Sequence, residues 1–264
     1  MKIIGIETSS IRGGVAILEM RNNSVARQKG LALKRGLVHG KLLVPALDKL
    51  LKEAHWRKDD LELVAVDIGP GSYTGLRVGL AIAKTISYAL KTKIVGVSSL
   101  DVLLKNTDKI GAYKYICPVI DARWNQVYAA IYEKSVDGHK RMTDYLAISP
   151  EDLLKLINRY KGAMLLLGDG LRAYEDVFKR LANRAEFAPE HFWSPRAENV
   201  AILGYESYKA GKRDDPIKLL PLYLRPTEAE INLKIKRGSV AVGVAPLAPG
   251  LTANYNSQYR INCE

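Results

Sequence analysis

The sequence predicts an α/β protein built as two similar lobes with mixed sheets. Three observations carry that reading. Strand-like runs open the chain as a hairpin; a strand, a glycine-rich turn and a helix follow between residues 61 and 90; and the same succession recurs between about 115 and 182. At 264 residues there is length for one large or two small domains, and a hydrophobic content of 47% suits a globular chain.

The first strands are expected at Lys2–Ile6 and Gly14–Met20, joined by the polar tip Glu7-Thr8-Ser9-Ser10-Ile11-Arg12-Gly13. An acid and hydroxyls on such a tip suit a phosphate or a metal-bound phosphate, although an ordinary polar turn looks the same. Leu31 and Leu33, within the basic stretch Arg27 to Arg35, suggest a third short strand. His39 to Ala54 then reads as a helix with an apolar stripe of Leu42, Leu43, Ala46, Leu47, Leu50, Leu51 and Ala54. Pro45 is expected near its first turn, where a missing N–H costs little.

Leu61 to Val66 is the next expected strand. After it comes Asp67-Ile68-Gly69-Pro70-Gly71-Ser72-Tyr73-Thr74-Gly75-Leu76-Arg77-Val78-Gly79, with a helix to Leu90. A glycine-rich turn at a helix start gathers free N–H groups and suits an anion or close backbone packing. It is not a Walker A loop, because Gly75 is followed by Leu76 and Arg77 rather than lysine and a hydroxyl residue. Gly75, Gly79 and Ala83 form a ridge of small residues; Gly79 inside a helix implies tight contact with some neighbour.

Lys93 to Val97 reads as a strand, with Ser98 or Ser99 capping the helix Leu100–Leu104. Tyr115–Ile120 and Gln126–Tyr132 are strands around the turn Asp121-Ala122-Arg123-Trp124-Asn125. Ser149-Pro150-Glu151-Asp152 starts a helix with a capping serine, proline at the first position and acids in the first turn. Leu165–Leu167 runs into Gly168-Asp169-Gly170 and a helix from Tyr174 to Leu181; Asn199 to Ala210 is a further helix. The expected division is 1–104, 105–228 and a tail, 229–264, of atypical composition and poor order.

Two distant cysteines give neither a disulfide framework nor a metal spacing, and no apolar run reaches membrane-spanning length. The first residues read as a strand rather than a signal peptide, so the cytoplasm is the expected compartment. A net charge of +12 favours a polyanionic partner such as RNA, although the basic residues are spread along the chain. No His-x-x-x-His pair and no Gly-x-Ser-x-Gly elbow occur. Glu7, Asp67, Asp121 and Asp169 stand at strand ends, where they could converge on a cleft and hold magnesium.

Gly69 to Leu80 resembles the signature of the TsaB family, formerly YeaZ. The resemblance extends in order to Ile4–Ser9, His39–Leu51, Asp121-Ala122-Arg123 with Val127-Tyr128-Ala129, Gly168-Asp169-Gly170 and Tyr223-Leu224-Arg225, over roughly residues 1 to 228. It implies two RNase H-like lobes of the actin, heat-shock ATPase and sugar-kinase superfamily. It also implies work in making threonylcarbamoyladenosine at position 37 of tRNA, as the non-catalytic dimerisation partner of the catalytic subunit TsaD, together with the ATPase TsaE. Two helices then become the interface with TsaD or a second copy: His39, Leu42, Leu43, Ala46, Leu47 and Leu50 on one, and Gly75, Val78, Gly79, Ile82, Ala83 and Ile86 on the other.

By the same reading the chain has no catalytic or metal-binding residue and needs no cofactor. ATP or ADP with magnesium at the partner interface stays open, with Glu7, Thr8, Ser9, Gly69, Gly71, Ser72 and Asp121 as the candidate contacts. Contact with tRNA is expected only through the complex, and none with membrane. The competing expectation is an active nucleotide-dependent ATPase or small-molecule kinase of the same fold.

Overall fold

A computed structural model describes residues 1–33, 39–108, 110–111, 113–135, 138–181 and 183–225. The tail 229–264 lies outside the described residues. The chain opens with three antiparallel strands, β1 (Lys2–Glu7), β2 (Gly14–Arg21) and β3 (Ser24–Ala32), the last starting earlier than its leucines suggest. Helix α1 (His39–Ala54) leads to β4 (Leu63–Gly69), helix α2 (Tyr73–Leu90) to β5 (Lys93–Ser98), and helix α3 (Ser99–Lys105) closes the half. Strands β1, β4 and β5 are parallel, so the sheet order is β3-β2-β1-β4-β5.

The second half repeats that order. Strands β6 (Tyr115–Asp121), β7 (Val127–Ala129), β8 (Tyr132–Ser135), β9 (Gly138–Arg141) and β10 (Leu146–Ile148) precede helix α4 (Pro150–Ile157). Strand β11 (Met164–Leu167), the short helices α5 (Gly170–Ala173) and α6 (Glu175–Phe178), strand β12 (Ala185–Phe187) and helix α7 (Ala197–Lys209) follow. The main path of the second sheet is β10-β7-β6-β11-β12, again one hairpin and three parallel strands. The expected strand Gln126–Tyr132 is split into β7 and β8, and the expected helix Tyr174–Leu181 into α6 and a 3-10 turn.

Ser72, Ser98 and Ser149 cap their helices by accepting from the N–H of Gly75, Leu100 and Asp152. Pro45 is the seventh residue of α1 rather than part of its first turn, which leaves the Lys41 carbonyl without its helical donor on the exposed side.

Helices cover both faces of the first sheet. Leu43, Leu47 and Leu50 of α1 and Leu80 and Ala83 of α2 pack on Ile4, Ile6, Val15, Ile17, Val64 and Val66. On the other face Val200 and Ala201 of α7 and Val102 of α3 meet Ile3, Leu18, Leu63, Ala65, Val95 and Val97. The last helix of the described chain thus returns to the first sheet. Helix α3 belongs to both halves: its Leu100, Leu103 and Leu104 join Ile116, Ile120, Leu165 and Leu167 of the second sheet. Asp101 accepts from the hydroxyls of Tyr132 and Tyr145 at 2.6 and 2.5 Å. Among the described residues no helix is long and apolar enough to cross a membrane.

The segment after α7 forms a strap. Asp214 N–H donates to Ile94 O and its carboxylate accepts from Gly96 N–H at 2.8 Å, along the free edge of β5. Leu222 N–H donates to Ile68 O, Tyr223 stacks on Tyr73 with ring centroids 5.4 Å apart, and Arg225 reaches the second sheet by donating to Ala122 O at 2.6 Å.

Helix α2 sits directly on the β1–β2 turn. A Cβ added at Gly75 would lie 2.0 Å from the Thr8 carbonyl oxygen; one at Gly79, 2.0 Å from Thr8 Oγ1; and one at Gly71, 2.5 Å from the Ser9 carbonyl oxygen. Ser72 N–H donates to Ser9 O at 2.8 Å. The neighbour that Gly79 demands is therefore Thr8 of the same chain. Gly75→Ala adds a better helix former, worth about 0.8–1 kcal/mol in an isolated helix. Its thermal unfolding midpoint should nevertheless fall, because the opposing backbone oxygen has nowhere to move and overpacking costs about 1–3 kcal/mol. A midpoint equal to or above the wild type would contradict this packing.

Candidate functional site

Glu7 ends β1 and Asp67 lies near the end of the neighbouring parallel strand β4, each one residue past the paired Ile6 and Val66, so both carboxyls point to the same face. Both are buried, 1% and 0% exposed. Glu7 closes the turn on itself. Its Oε1 accepts from Ser9 N–H at 2.6 Å, Ser9 Oγ at 2.6 Å and Ser10 N–H at 3.0 Å, and its Oε2 from Ser10 Oγ at 3.0 Å. Asp67 Oδ1 accepts from Ser99 Oγ at 2.6 Å and Gly69 N–H at 2.8 Å, while its buried Oδ2 has no hydrogen-bond partner among the described residues.

Burial raises the pKa of Glu7 against the pull of its serine donors. Burial first, and then the negative charge of Glu7, push Asp67 up to about 7. Two carboxylates at adjacent register positions in a dry site resist ionising together, so they titrate as a pair.

The second sheet holds an equivalent pair in a wetter setting. Asp121 ends β6 and Asp169 follows β11; Asp121 N–H donates to Asp169 Oδ1 at 3.1 Å. The Asp121 carboxylate accepts from Arg123 N–H at 2.8 Å, and Arg123 Nε lies 3.5 Å from it. Burial raises the pKa of Asp169. The four acids therefore form two pairs, and among the described residues no three His, Cys, Asp or Glu side chains group as a metal site.

Of the candidate phosphate contacts, Glu7, Thr8, Ser9, Gly69, Gly71 and Ser72 come together, and Asp121 stands apart in the second sheet. Four of them hold one another: the Glu7 carboxylate accepts from Ser9, the Ser72 N–H is taken by Ser9 O and Gly71 lies against Ser9, while Thr8 meets Gly75 and Gly79 and the Gly69 N–H goes to Asp67. Ser99, the donor to Asp67, has no signal in the sequence that separates it from the capping Ser98.

The candidate interface residues divide between core and surface. Leu43, Leu47, Leu50, Gly75, Gly79 and Ala83 are buried in the chain itself, whereas Leu42, Ala46, Val78, Ile82 and Ile86 are half-buried; His39 opens α1. Val44 (51% exposed), Pro45, Ala81 and Tyr88 (74% exposed) extend the outward face beyond the residues expected from the stripe.

A hairpin-led strand order met twice, with helices on both faces of the first sheet and one shared helix between the sheets, is a pair of RNase H-like lobes. The protein has the fold of the actin, heat-shock ATPase and sugar-kinase superfamily. Solved structures titled as YeaZ from Pseudomonas aeruginosa, and as a protein with similarity to peptidase YeaZ from that organism, share it. Their TM-scores are 0.68 and 0.72, at 20% and 21% identity, over 84% and 85% of this chain and 99% of theirs. The family model described as TsaD, tRNA N6-adenosine threonylcarbamoyltransferase, matches residues 34–233. The tRNA threonylcarbamoyladenosine biosynthesis protein TsaB of Bacillus subtilis is 31% identical over 87% of this chain and 96% of its own length. That of Escherichia coli is 24% identical over 85% and 95%. The chain belongs to the TsaB (YeaZ) family.

Because the folded state keeps on Asp67 a proton that an unfolded aspartate loses near its usual pKa, the acid pair favours folding most at low pH. That contribution is lost as pH rises from about 4 through about 7. Asp67→Asn keeps an acceptor for Ser99 and Gly69 and carries no charge. Its melting temperature should exceed the wild type's at pH 8 by at least about 3 °C and match it more closely at pH 5. Parallel pH profiles for the two proteins would exclude the raised pKa of Asp67.

Proposed function

We propose that the chain serves tRNA threonylcarbamoyladenosine biosynthesis as a non-catalytic partner subunit, joining TsaD, or a second copy of itself, through the outward face of α1 and α2, with TsaE completing the system. The observation that carries this reading is that face. Two helices lie side by side, with Gly40 of α1 against Val78 of α2, and they present Val44, Ala81 and Tyr88 to solvent beside half-buried Leu42, Ala46, Val78, Ile82 and Ile86. Apolar side chains gathered on adjacent helices are the usual substance of a protein interface. Family membership supplies the pathway and the candidate partner.

The nucleotide-enzyme alternative has less support. An acid that works on a magnesium-bound phosphate must reach it, and the Glu7 carboxylate is closed over its own serines.

Val44→Glu and Ala81→Glu change exposed positions, so their unfolding midpoints should stay within about 2 °C of the wild type. Each should abolish co-elution with TsaD in size-exclusion chromatography. Wild-type chain that never co-elutes with TsaD, or charged variants that still do, would sink the proposal.

A further inference from the structure

The tip of the β6–β7 hairpin has a backbone unlike any other in the described chain. Arg123, Trp124 and Asn125 stand in succession at φ of 61°, 53° and 55°, in the left-handed region. Asparagine tolerates that region, whereas arginine and tryptophan enter it only under strain. The result is an indole at the extreme of a turn, 71% exposed, beside an arginine side chain that is 76% exposed.

The turn is clamped from below. Ala122 N–H donates to Gln126 O and Gln126 N–H to Arg123 O. Arg123 N–H donates to Asp121, and Arg225 donates to the carbonyls of Ala122 and Arg123 at 2.6 and 3.2 Å. An exposed aromatic on a strained and firmly held turn is a presented group.

The surface continues along the strap. Two residues before Arg225, Tyr223 stacks on Tyr73, roughly 7 Å of chain away. Tyr73 is 44% exposed and carries Arg77, whose guanidinium lies 5.3 Å from its ring and donates to its hydroxyl at 2.8 Å. Rings and guanidinium groups succeed one another here in blocks: Trp124, then Arg123 and Arg225, the latter turned onto backbone carbonyls, then Tyr223 and Tyr73, then Arg77. The acid among them, Asp121, is spent on the turn and on Arg123.

We propose that this hairpin tip is a contact surface for single-stranded RNA, with Trp124 stacking on an unpaired base and Arg123 and Arg77 holding backbone phosphates. Aromatic and cationic groups side by side are the chemistry that takes unpaired nucleotides, since every base has a face to stack and every linkage a charge. The net charge of +12 favours the same polyanion. The inference rests on the tRNA-pathway reading above, but it places an RNA contact on this chain itself.

The test uses the full chain and a fluorescently labelled synthetic RNA stem-loop with an unpaired loop, followed by anisotropy at several salt concentrations. Trp124→Ala should weaken binding about ten-fold, within the range measured for one stacked base. Trp124→Phe, which keeps a ring, should bind like the wild type. Arg123→Gln and Arg77→Gln should each lower the slope of log affinity against log salt by about 0.7. RNA should also quench the wild-type indole emission, because Trp56 is buried and Trp193 is half-buried with its N–H bound to Ala188 O, leaving Trp124 as the accessible ring.

No RNA binding at low salt overturns the proposal, and so does unchanged affinity in Trp124→Ala. Loss of TsaD co-elution in Trp124→Ala with RNA affinity intact would reassign the tip to a protein contact and overturn it too. The outcome for Val44→Glu and Ala81→Glu is independent of these arms, so failure here is distinguishable from failure of the partner reading.

Discussion

The seating of α2 on the Thr8–Ser9 turn is the constraint on which the first half of the molecule depends. With nothing larger than hydrogen at Gly71, Gly75 and Gly79, the helix comes into contact with the backbone of the turn. The turn it contacts follows Glu7, whose carboxyl stands at the register position beside that of Asp67 on β4, both of them buried. The contact also fixes which side of α2 faces inward. A methyl added at Gly75 would meet main-chain oxygen, which cannot swing away, whereas one at Gly79 would meet the Thr8 side chain, which is why the requirement is strictest at Gly75.

Seen from α2, the chain uses three sides of one helix for three purposes. Its ridge meets the turn, Leu80 joins the core beneath, and the side bearing Val78, Ala81 and Ile82 looks outward next to α1. Its first residue, Tyr73, reaches the strap through Tyr223. Three of the four strand-end acids make hydrogen bonds within the frame: Glu7 ties down its own turn, Asp67 holds Ser99 of α3, and Asp121 braces the hairpin under Trp124.

Local signals in the sequence were reliable where one residue determines one geometry. The serine caps at Ser98 and Ser149 and the stripe of α1 are such cases, and the repeated order of elements disclosed the paired lobes. What was not legible depends on distant pairing. Strands β9, β10 and β12 are only three or four residues long, too short for a periodic pattern, and exist because β8, β7 and β11 offer them an edge. The small residues of α2 announced a close neighbour but could not say which, and the structure supplies Thr8. Of the acid pair, the sequence disclosed two strand-end carboxylates; the raised pKa of Asp67 arises from burial and register, which no spacing along the chain records. The Tyr223-Leu224-Arg225 motif, individually weak, acquires a reason: its ends grip α2 and the second hairpin.

The return of α7 to the first sheet bears on how the molecule is made. A ribosome releases the chain from its N-terminus, so β1, β2, β4 and β5 emerge long before Val200 and Ala201, which complete the cover on their outer face. Until then that face, Ile3, Leu18, Leu63, Ala65 and Val95 among it, has only α3 as a partial roof. The nascent first lobe is therefore a sheet with one finished side, exposed to whatever apolar surface is nearby. Cover of that face is completed only by α7.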